Sequence, residues 1–355
     1  MEAFNYLLKR NIKLFWRNKS RIFFLFLGPL ITLFVFFLFV KRNFDNGSAT
    51  DFLNIKELPR YVKEVIYPTN FFKDISSFLF NVTVISGLTA ITAFTTAVQL
   101  ANNIVHDKET RTLDDFFITP TKTTTIRSSY LVFNIIFNII ISCFTLFVLY
   151  IYFYASFSDS IIVRPNVFFS VLGITILSAV TSSLFFVFLF SYVKTNAVFM
   201  ALSAIFSSIG GFLIGAYYPV SLLPKSFAGV LAFIPQTQAG ILIRSVTLDY
   251  DFITSTMNQL TYDNVKFLVD DPNTHQMQEY TVLEYYNTYV KQDVLNRAST
   301  FINKLVDGIN SGIRTSGNPQ IAAQDISKGA SLGYVLGSIA VLTSLQFIFK
   351  FSKKR

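Results

Sequence analysis

Between Asn102 and Pro120 the chain reads Asn-Asn-Ile-Val-His-Asp-Lys-Glu-Thr-Arg-Thr-Leu-Asp-Asp-Phe-Phe-Ile-Thr-Pro, and this is where its reactive side chains concentrate. From His106 to Arg127 there are four acids and four bases. On either side, Ile75 to Val105 and Ser128 to Ser158 contain no Asp, Glu, Lys or Arg. A compact polar knuckle is therefore pinned between two apolar runs. Mixed charge on so short a connection suits non-covalent recognition of another protein, where polar groups specify the partner and an apolar patch packs against it. Leu113, Phe116 and Phe117 form such a stripe, with Asp114 and Asp115 beside it, and Pro120 ends any helix there. His106 could in principle ligate a metal, but the only other histidine is His275 and no cysteine lies near, so a solvated loop histidine is expected.

Covalent chemistry finds no support. A Gly-x-x-x-x-Gly-Lys-Ser/Thr phosphate loop is excluded because no glycine is directly followed by lysine. There is no His-Glu-x-x-His and no cysteine pair, Cys143 being the single cysteine. No catalytic residue, resident metal or cofactor is expected on this chain. The apolar runs also lack the charged residues that proton- or ion-coupled carriers use. A carrier of this kind would need an outside source of energy, and the knuckle is the place to receive it.

Hydrophobic residues make up 52% of the chain and charged residues 14%, with mean hydropathy +0.48. Soluble domains carry about 25% charge, so this composition belongs in a bilayer. A crossing helix needs roughly 20 apolar residues. Six stretches qualify, near 22–40, 75–104, 130–157, 167–193, 197–217 and 331–349. A seventh uncharged run, 226–243, is broken by Pro235 and Gly240 and is expected to dip into the outer leaflet without crossing. The first run carries Gly28-Pro29 and closes on no small-residue cleavage site, so it reads as a retained helix. Net charge is +9. Lys9, Arg10, Lys13, Arg17, Lys19 and Arg21 face Glu2 alone at the start, and Lys350, Lys353, Lys354 and Arg355 close the chain. The positive-inside rule puts both termini in the cytoplasm of a multi-pass cell-membrane protein, which needs an even number of crossings. The positive balance is thereby assigned to membrane orientation, and nucleic acid is not an expected partner.

The elements that position the knuckle follow from periodicity. Phe4, Leu7, Leu8, Ile12, Phe15 and Trp16 recur at helical spacing, with Lys9, Arg10, Lys13 and Arg17 opposite. Residues 1–21 are expected to form an amphipathic helix in the inner interface, against membrane lipid, the plainer alternative being a basic flank of the first span. Asn134 and Asn138, four residues apart, share one face of the third span, where their amides would bond neighbouring helices or, alternatively, touch cargo. The fifth span ends in Gly210, Gly211 and Gly215, then Tyr217-Tyr218-Pro219 and Leu222-Leu223-Pro224, with Pro235 following. Residues 218–245 are therefore expected to re-enter the outer leaflet as a bent helical pair, against the alternative of a turn-rich loop.

Residues 41–74 read as a small external cap. Residues 250–328 read as an external helical insertion with a long helix near 281–312, carried by Val282, Tyr286, Val290, Val294, Phe301, Leu305 and Ile309. The insertion looks too small for a core of its own and is expected to pack on the membrane part or a partner copy. In the last span, Gly329, Gly333 and Gly337 would cut a groove for a close neighbour. The fold class is thus all-α and polytopic. It divides into an interfacial helix (1–21), five membrane helices with the coupling loop 105–127 and the re-entrant segment (22–249), the insertion (250–328), and a sixth helix with a basic tail (329–355).

Two blocks resemble the permease subunits of ABC-2-type exporters. One runs from Ile104-Val105-His106-Asp107-Lys108-Glu109-Thr110-Arg111-Thr112-Leu113 to Thr119-Pro120, similar to the family's acidic loop with Gly-Thr-Leu and a Thr-Pro end. Arg111 stands where the family often has glycine. The other runs from Gly210 to Arg244, with Gly-x-Tyr-Tyr-Pro, Leu-Pro and Ile-Pro-Gln-Thr, similar to the family's external hairpin and marked here by Pro219, Pro224, Pro235 and Arg244. Residues 249–325 depart from short bacterial members and match the external loop of the eukaryotic G-subfamily in position only.

The resemblance implies a permease paired with a second copy or a paralogue, each docked to a cytosolic ABC ATPase subunit that binds ATP and Mg. The 105–120 loop would be the coupling helix, with polar contacts from Asp107, Lys108, Glu109, Arg111 and Asp115 and a packed stripe of Leu113, Phe116 and Phe117. Spans two and five would line the path, with Asn81, Thr89, Phe206, Gly210 and Tyr217 along it. A phenylalanine-rich, charge-free path favours an amphiphilic cargo: a hydrophobic drug, a lipid, or an antimicrobial or toxin peptide. The competing reading is a non-transporting sensor or immunity protein whose 250–328 insertion binds a ligand. A neighbouring gene for an ATPase without spans would favour export, and a neighbouring kinase pair would favour sensing.

Overall fold

The computed structural model describes residues 2–35, 38, 58–68, 71–156, 164–216, 225–248, 250–272, 276–317, 320–321 and 324–348. The chain opens with helices α1 (Glu2–Arg17) and α2 (Lys19–Val35) and strand β1 (Val62–Ile66). Helices α3 (Phe71–Leu100), α4 (Asn102–Glu109), α5 (Thr112–Ile118), α6 (Thr123–Ser156), α7 (Pro165–Phe190) and α8 (Asn196–Leu213) follow. Next come α9 (Lys225–Ala232), α10 (Pro235–Thr247) and α11 (Tyr250–Met257), then strands β2 (Lys266–Asp270) and β3 (Met277–Thr281). Helices α12 (Val282–Tyr285) and α13 (Val294–Gly317), the two-residue strands β4 (Gln320–Ile321) and β5 (Gln324–Asp325), and α14 (Lys328–Ile348) complete the order. They gather into two compact units, Met1–Phe36 with Val82–Thr247 and Gly317–Arg355, and Phe37–Asn81 with Leu248–Ser316.

Among the described residues, five helices are long and apolar enough to cross a membrane: Asn81–Glu109, Thr123–Ala155, Pro165–Phe190, Asn196–Leu213 and Lys328–Ile348. The shortest, α8, has 18 residues, about 27 Å at 1.5 Å per residue and close to the hydrocarbon thickness. Of the first expected crossing, α2 gives 17 helical residues; beyond Val35 only Leu38 is among the described residues. Helices α9 and α10 pass the same test only as a pair, bent by 96° at the break before Pro235.

In the first unit, α1 lies along α6. Phe15 is buried, with its ring 5.7 Å from Phe133 and 4.4 Å from Phe137. Trp16, expected on the same apolar face, is instead 61% exposed. Asn134 and Asn138 do bond neighbouring helices: Asn134 Nδ2 donates to Ala97 O at 3.0 Å, and Asn138 Nδ2 reaches Ala93 O at 2.9 Å and Ala179 O at 3.0 Å. Such bonds tie α3, α6 and α7 together, each worth about 1 kcal/mol in a bilayer. Gly333 and Gly337 of α14 are exposed, and a Cβ on either would meet nothing within 4 Å among the described residues, so the groove expected there is left open. The packing face of α14 carries Ser331, Val335 and Gln346 instead.

The second unit corrects the all-helical expectation for the insertion. Strands β1, β2 and β3 form one antiparallel sheet in that order, joining the 41–74 segment to the insertion. Phe267 and Val269 alternate inward on β2. The Phe267 ring lies 5.2 Å from Tyr285 and 5.0 Å from Phe301. With Val282 and Leu305 also buried, this unit has an apolar core of its own. The long helix expected near 281–312 is two pieces. A capping box between Thr281 and Glu284 starts α12, and left-handed Lys291 (φ 57°) and Asp293 (φ 49°) separate it from α13. No glycine or proline marks that break, so period alone could not reveal it.

Candidate functional site

The charged loop is a helical hairpin. After a one-residue interruption at Ala101, α4 continues α3; it ends at Thr110, and α5 starts at once. The joint is Arg111, whose φ of 61° is left-handed. It sits one residue past the cap of α4, the position where helices most often place glycine. That geometry is the reason a glycine suits this place in the motif. Asp114 and Asp115 fall in the first turn of α5, where negative charge meets the positive end of the helix dipole.

Asp107, Lys108 and Glu109, expected to offer polar contacts, hold the hairpin to the rest of the first unit, Glu109 while remaining exposed. Asp107 is 3% exposed. Arg10 of α1 donates to its carboxylate from Nη1 at 2.6 Å and Nη2 at 2.9 Å, and the Tyr130 hydroxyl donates to Oδ2 as well. The Arg10 guanidinium also stands 5.0 Å over the Phe116 ring. Its pKa is raised, first by the hydrogen bond to Asp107, against the opposing effect of burial. Deleting one partner of a buried pair costs roughly 3 kcal/mol, and less where, as at Arg10, part of the group still meets water.

Lys108 Nζ donates to the carbonyls of Ser191 and, at 3.2 Å, Val193, just past the end of α7. Glu109 Oε1 accepts from the backbone N–H of Asn196 at 3.2 Å, at the start of α8. The turn 191–196 is thus gripped by two consecutive residues of α4. Two more cations serve helix ends. Arg21 donates to Gln99 O at 2.6 Å and to Asn103 Oδ1, and Arg127 donates to Gln346 O at 3.0 Å and Ser191 Oγ at 3.0 Å. The last carbonyls of a helix lack partners within it and carry partial negative charge, so cations belong there. Arg10, Arg21, Tyr130, Arg127 and Asn196 escape a sequence reading, because the basic ones look like ordinary orientation residues.

The other face of the hairpin is open. Leu113 is buried and Phe116 and Phe117 are half-buried, whereas Arg111, Asp114, Asp115 and Thr119 are exposed and Ile118 is 86% exposed. An apolar side chain rimmed by charge, on a helix end fixed from behind, is suited to docking a protein surface.

The residues expected along a path are placed as follows. Thr89 is buried in α3 with its hydroxyl bonded to Ile85 O at 2.5 Å. Asn81 is buried, and its Oδ1 finds no donor among the described residues. Phe206 and Gly210 of α8 meet Phe94 of α3: the two rings are 6.4 Å apart, and a Cβ on Gly210 would come within 2.8 Å of the Phe94 ring. Phe186 joins them, 4.7 Å from Phe94 and 5.2 Å from Phe206. Tyr217, Pro219 and Pro224 lie outside the described residues. Pro235 opens α10, and Arg244 is buried near its end.

No curated protein and no solved structure matches the chain. The family model for ABC-2 type transporters matches residues 2–248, which hold every element from α1 to α10, the hairpin and its clamps included. With that match over more than half of its 355 residues, the chain belongs to the ABC-2 type transporter family.

Proposed function

We propose that this chain is the permease subunit of an ATP-binding-cassette exporter for an amphiphilic cargo, a drug, a lipid or an antimicrobial or toxin peptide. A separate ATPase subunit binds ATP and Mg and docks on the α4–α5 hairpin, and a second permease copy or paralogue completes the path. The observation that carries this reading is the two-sidedness of the hairpin. Its inner face is clamped to α1, α6 and the 191–196 turn through Asp107, Lys108 and Glu109, while its outer face offers Ile118 among Arg111, Asp114 and Asp115. A push on α5 then reaches the start of α8 through bonds already made.

Strand pairing supports the membrane topology that this requires. Strand β1 precedes α3 and β2 follows α10, yet they pair from Val62↔Val269 to Ile66↔Lys266. Loops that share a sheet lie on one side of a membrane, so an even number of crossings separates them. Helices α3, α6, α7 and α8 supply four. A fifth crossing by the bent pair α9–α10 would part the strands, which favours a re-entrant hairpin. With basic termini in the cytoplasm of a cell membrane, the α4–α5 hairpin faces the cytosol and the sheet faces outward.

The test is charge reversal where the inner clamps are untouched. Asp115 is exposed and makes no ion pair among the described residues. Asp115→Lys, co-purified with the ATPase in lipid, is expected to fold, with its unfolding temperature lowered slightly by the lost helix-end charge, and to lose most cargo-stimulated ATP hydrolysis. Full stimulation in that variant contradicts the docking assignment.

A further inference from the structure

Arg244 is 3% exposed, and no carboxylate pairs with it among the described residues. Its Nε donates to Ser86 Oγ at 3.0 Å, and a terminal nitrogen donates to the carbonyl of Gly215. Ser86 belongs to α3, and Gly215 is left-handed (φ 68°), two residues past the end of α8. The surrounding contacts are all close. A Cβ on Gly87 would stand 2.4 Å from Ala216 O, and one on Gly240 would stand 3.6 Å from Ile214 O and 3.7 Å from the Ala90 methyl. Thr237 Oγ1 donates to Leu213 O at 3.0 Å. Three elements, α3, the end of α8, and α10, therefore meet around one guanidinium.

A permanent brace at such a junction needs no charge; an apolar side chain of similar volume would do as well or better. A buried ionisable group among apolar helices points to function. Its partners here sit on α3 and just past the end of α8, the second and fifth spans that the family resemblance places along the path, and each supplies one acceptor. Separation of α8 from α3 breaks at least one of the two bonds.

We propose that Arg244 is a latch, a positioning residue that holds the end of α8 closed against α3 and α10 and lets go when the path opens on the side away from the hairpin. The latch rests on the permease reading for its place in a transport cycle, but the closed contact is testable without a partner. With Cys143→Ser as background, Ala90→Cys provides a reporter, since Ala90 is 1% exposed at the sealed junction. The full chain is placed in vesicles with the sheet-bearing unit outward, and a membrane-impermeant maleimide is added outside.

Arg244→Gln is expected to raise the labelling rate about tenfold, the factor that goes with losing one hydrogen bond to a charged group. Ser86→Ala and Arg244→Lys, which each spare one of the two attachments, should give smaller increases. Labelling at the parent rate in Arg244→Gln, with an unchanged unfolding temperature, overturns the latch. Should that variant not fold, Ser86→Ala and Arg244→Lys decide, and parent-like rates in both overturn it equally. Failure of the permease reading looks different. ATP with the co-purified ATPase would then leave parent labelling unchanged, while the ratio between Arg244→Gln and parent would persist.

Discussion

A helix turns by about 100° per residue, so three consecutive side chains cannot all face one partner. That constraint is what happens at Asp107, Lys108 and Glu109: one meets Arg10 and Tyr130, the next the end of α7, the third the start of α8. Their charges were legible in the sequence, but their direction was not. The main partner of Asp107 lies 97 positions away, and nothing local announces it. Arg111 is the converse case. Its departure from the family's glycine is visible in the sequence, and the φ of 61° supplies the reason. A non-glycine residue in that region carries about 1 kcal/mol of strain. Arg111→Gly is expected to raise the unfolding temperature of the purified chain, or to leave it unchanged where added freedom of the unfolded chain offsets the relief. A marked drop would show that the Arg111 side chain holds the hairpin.

Among the elements, the long apolar helices were readable because composition and length alone specify them. The bent pair α9–α10 was readable because Pro235 cannot continue a helix. Strands β2 and β3 were missed although Lys-Phe-Leu-Val-Asp before Asp271-Pro272 alternates as a strand does; a helical period further along drew the reading past it. The start of α12 does carry a local signature, Thr281 with Glu284 three residues on. The backbone N–H of Thr281 donates to the Glu284 carboxylate at 2.8 Å, and this bond, with the Thr281 side chain, lowers the carboxyl pKa below its usual 4.5. A depressed acid contributes stability above its unfolded pKa, and that contribution fades as pH falls through the folded value. Glu284→Gln should therefore speed hydrogen exchange in residues 282–290 at neutral pH, with the difference from the parent shrinking once pH falls below 4.5. A difference that is constant with pH would remove the carboxylate from the cap.

For the whole molecule, the long apolar helices were legible and the loop partnerships were not. Val62 and Val269 pair across more than two hundred residues, and that contact, absent from any local pattern, supports the even number of crossings between them. The account as a whole rests on the α4–α5 hairpin facing a soluble ATPase while the β-sheet faces the other side. Photocross-linking in cells examines both halves together, with benzoylphenylalanine in place of either Ile118 on α5 or exposed Met277 on β3. The expected result is a product between position 118 and an ATP-hydrolysing chain without membrane spans, and no such product from position 277. Capture of that chain at 277 and not at 118, or capture at neither, would contradict the account.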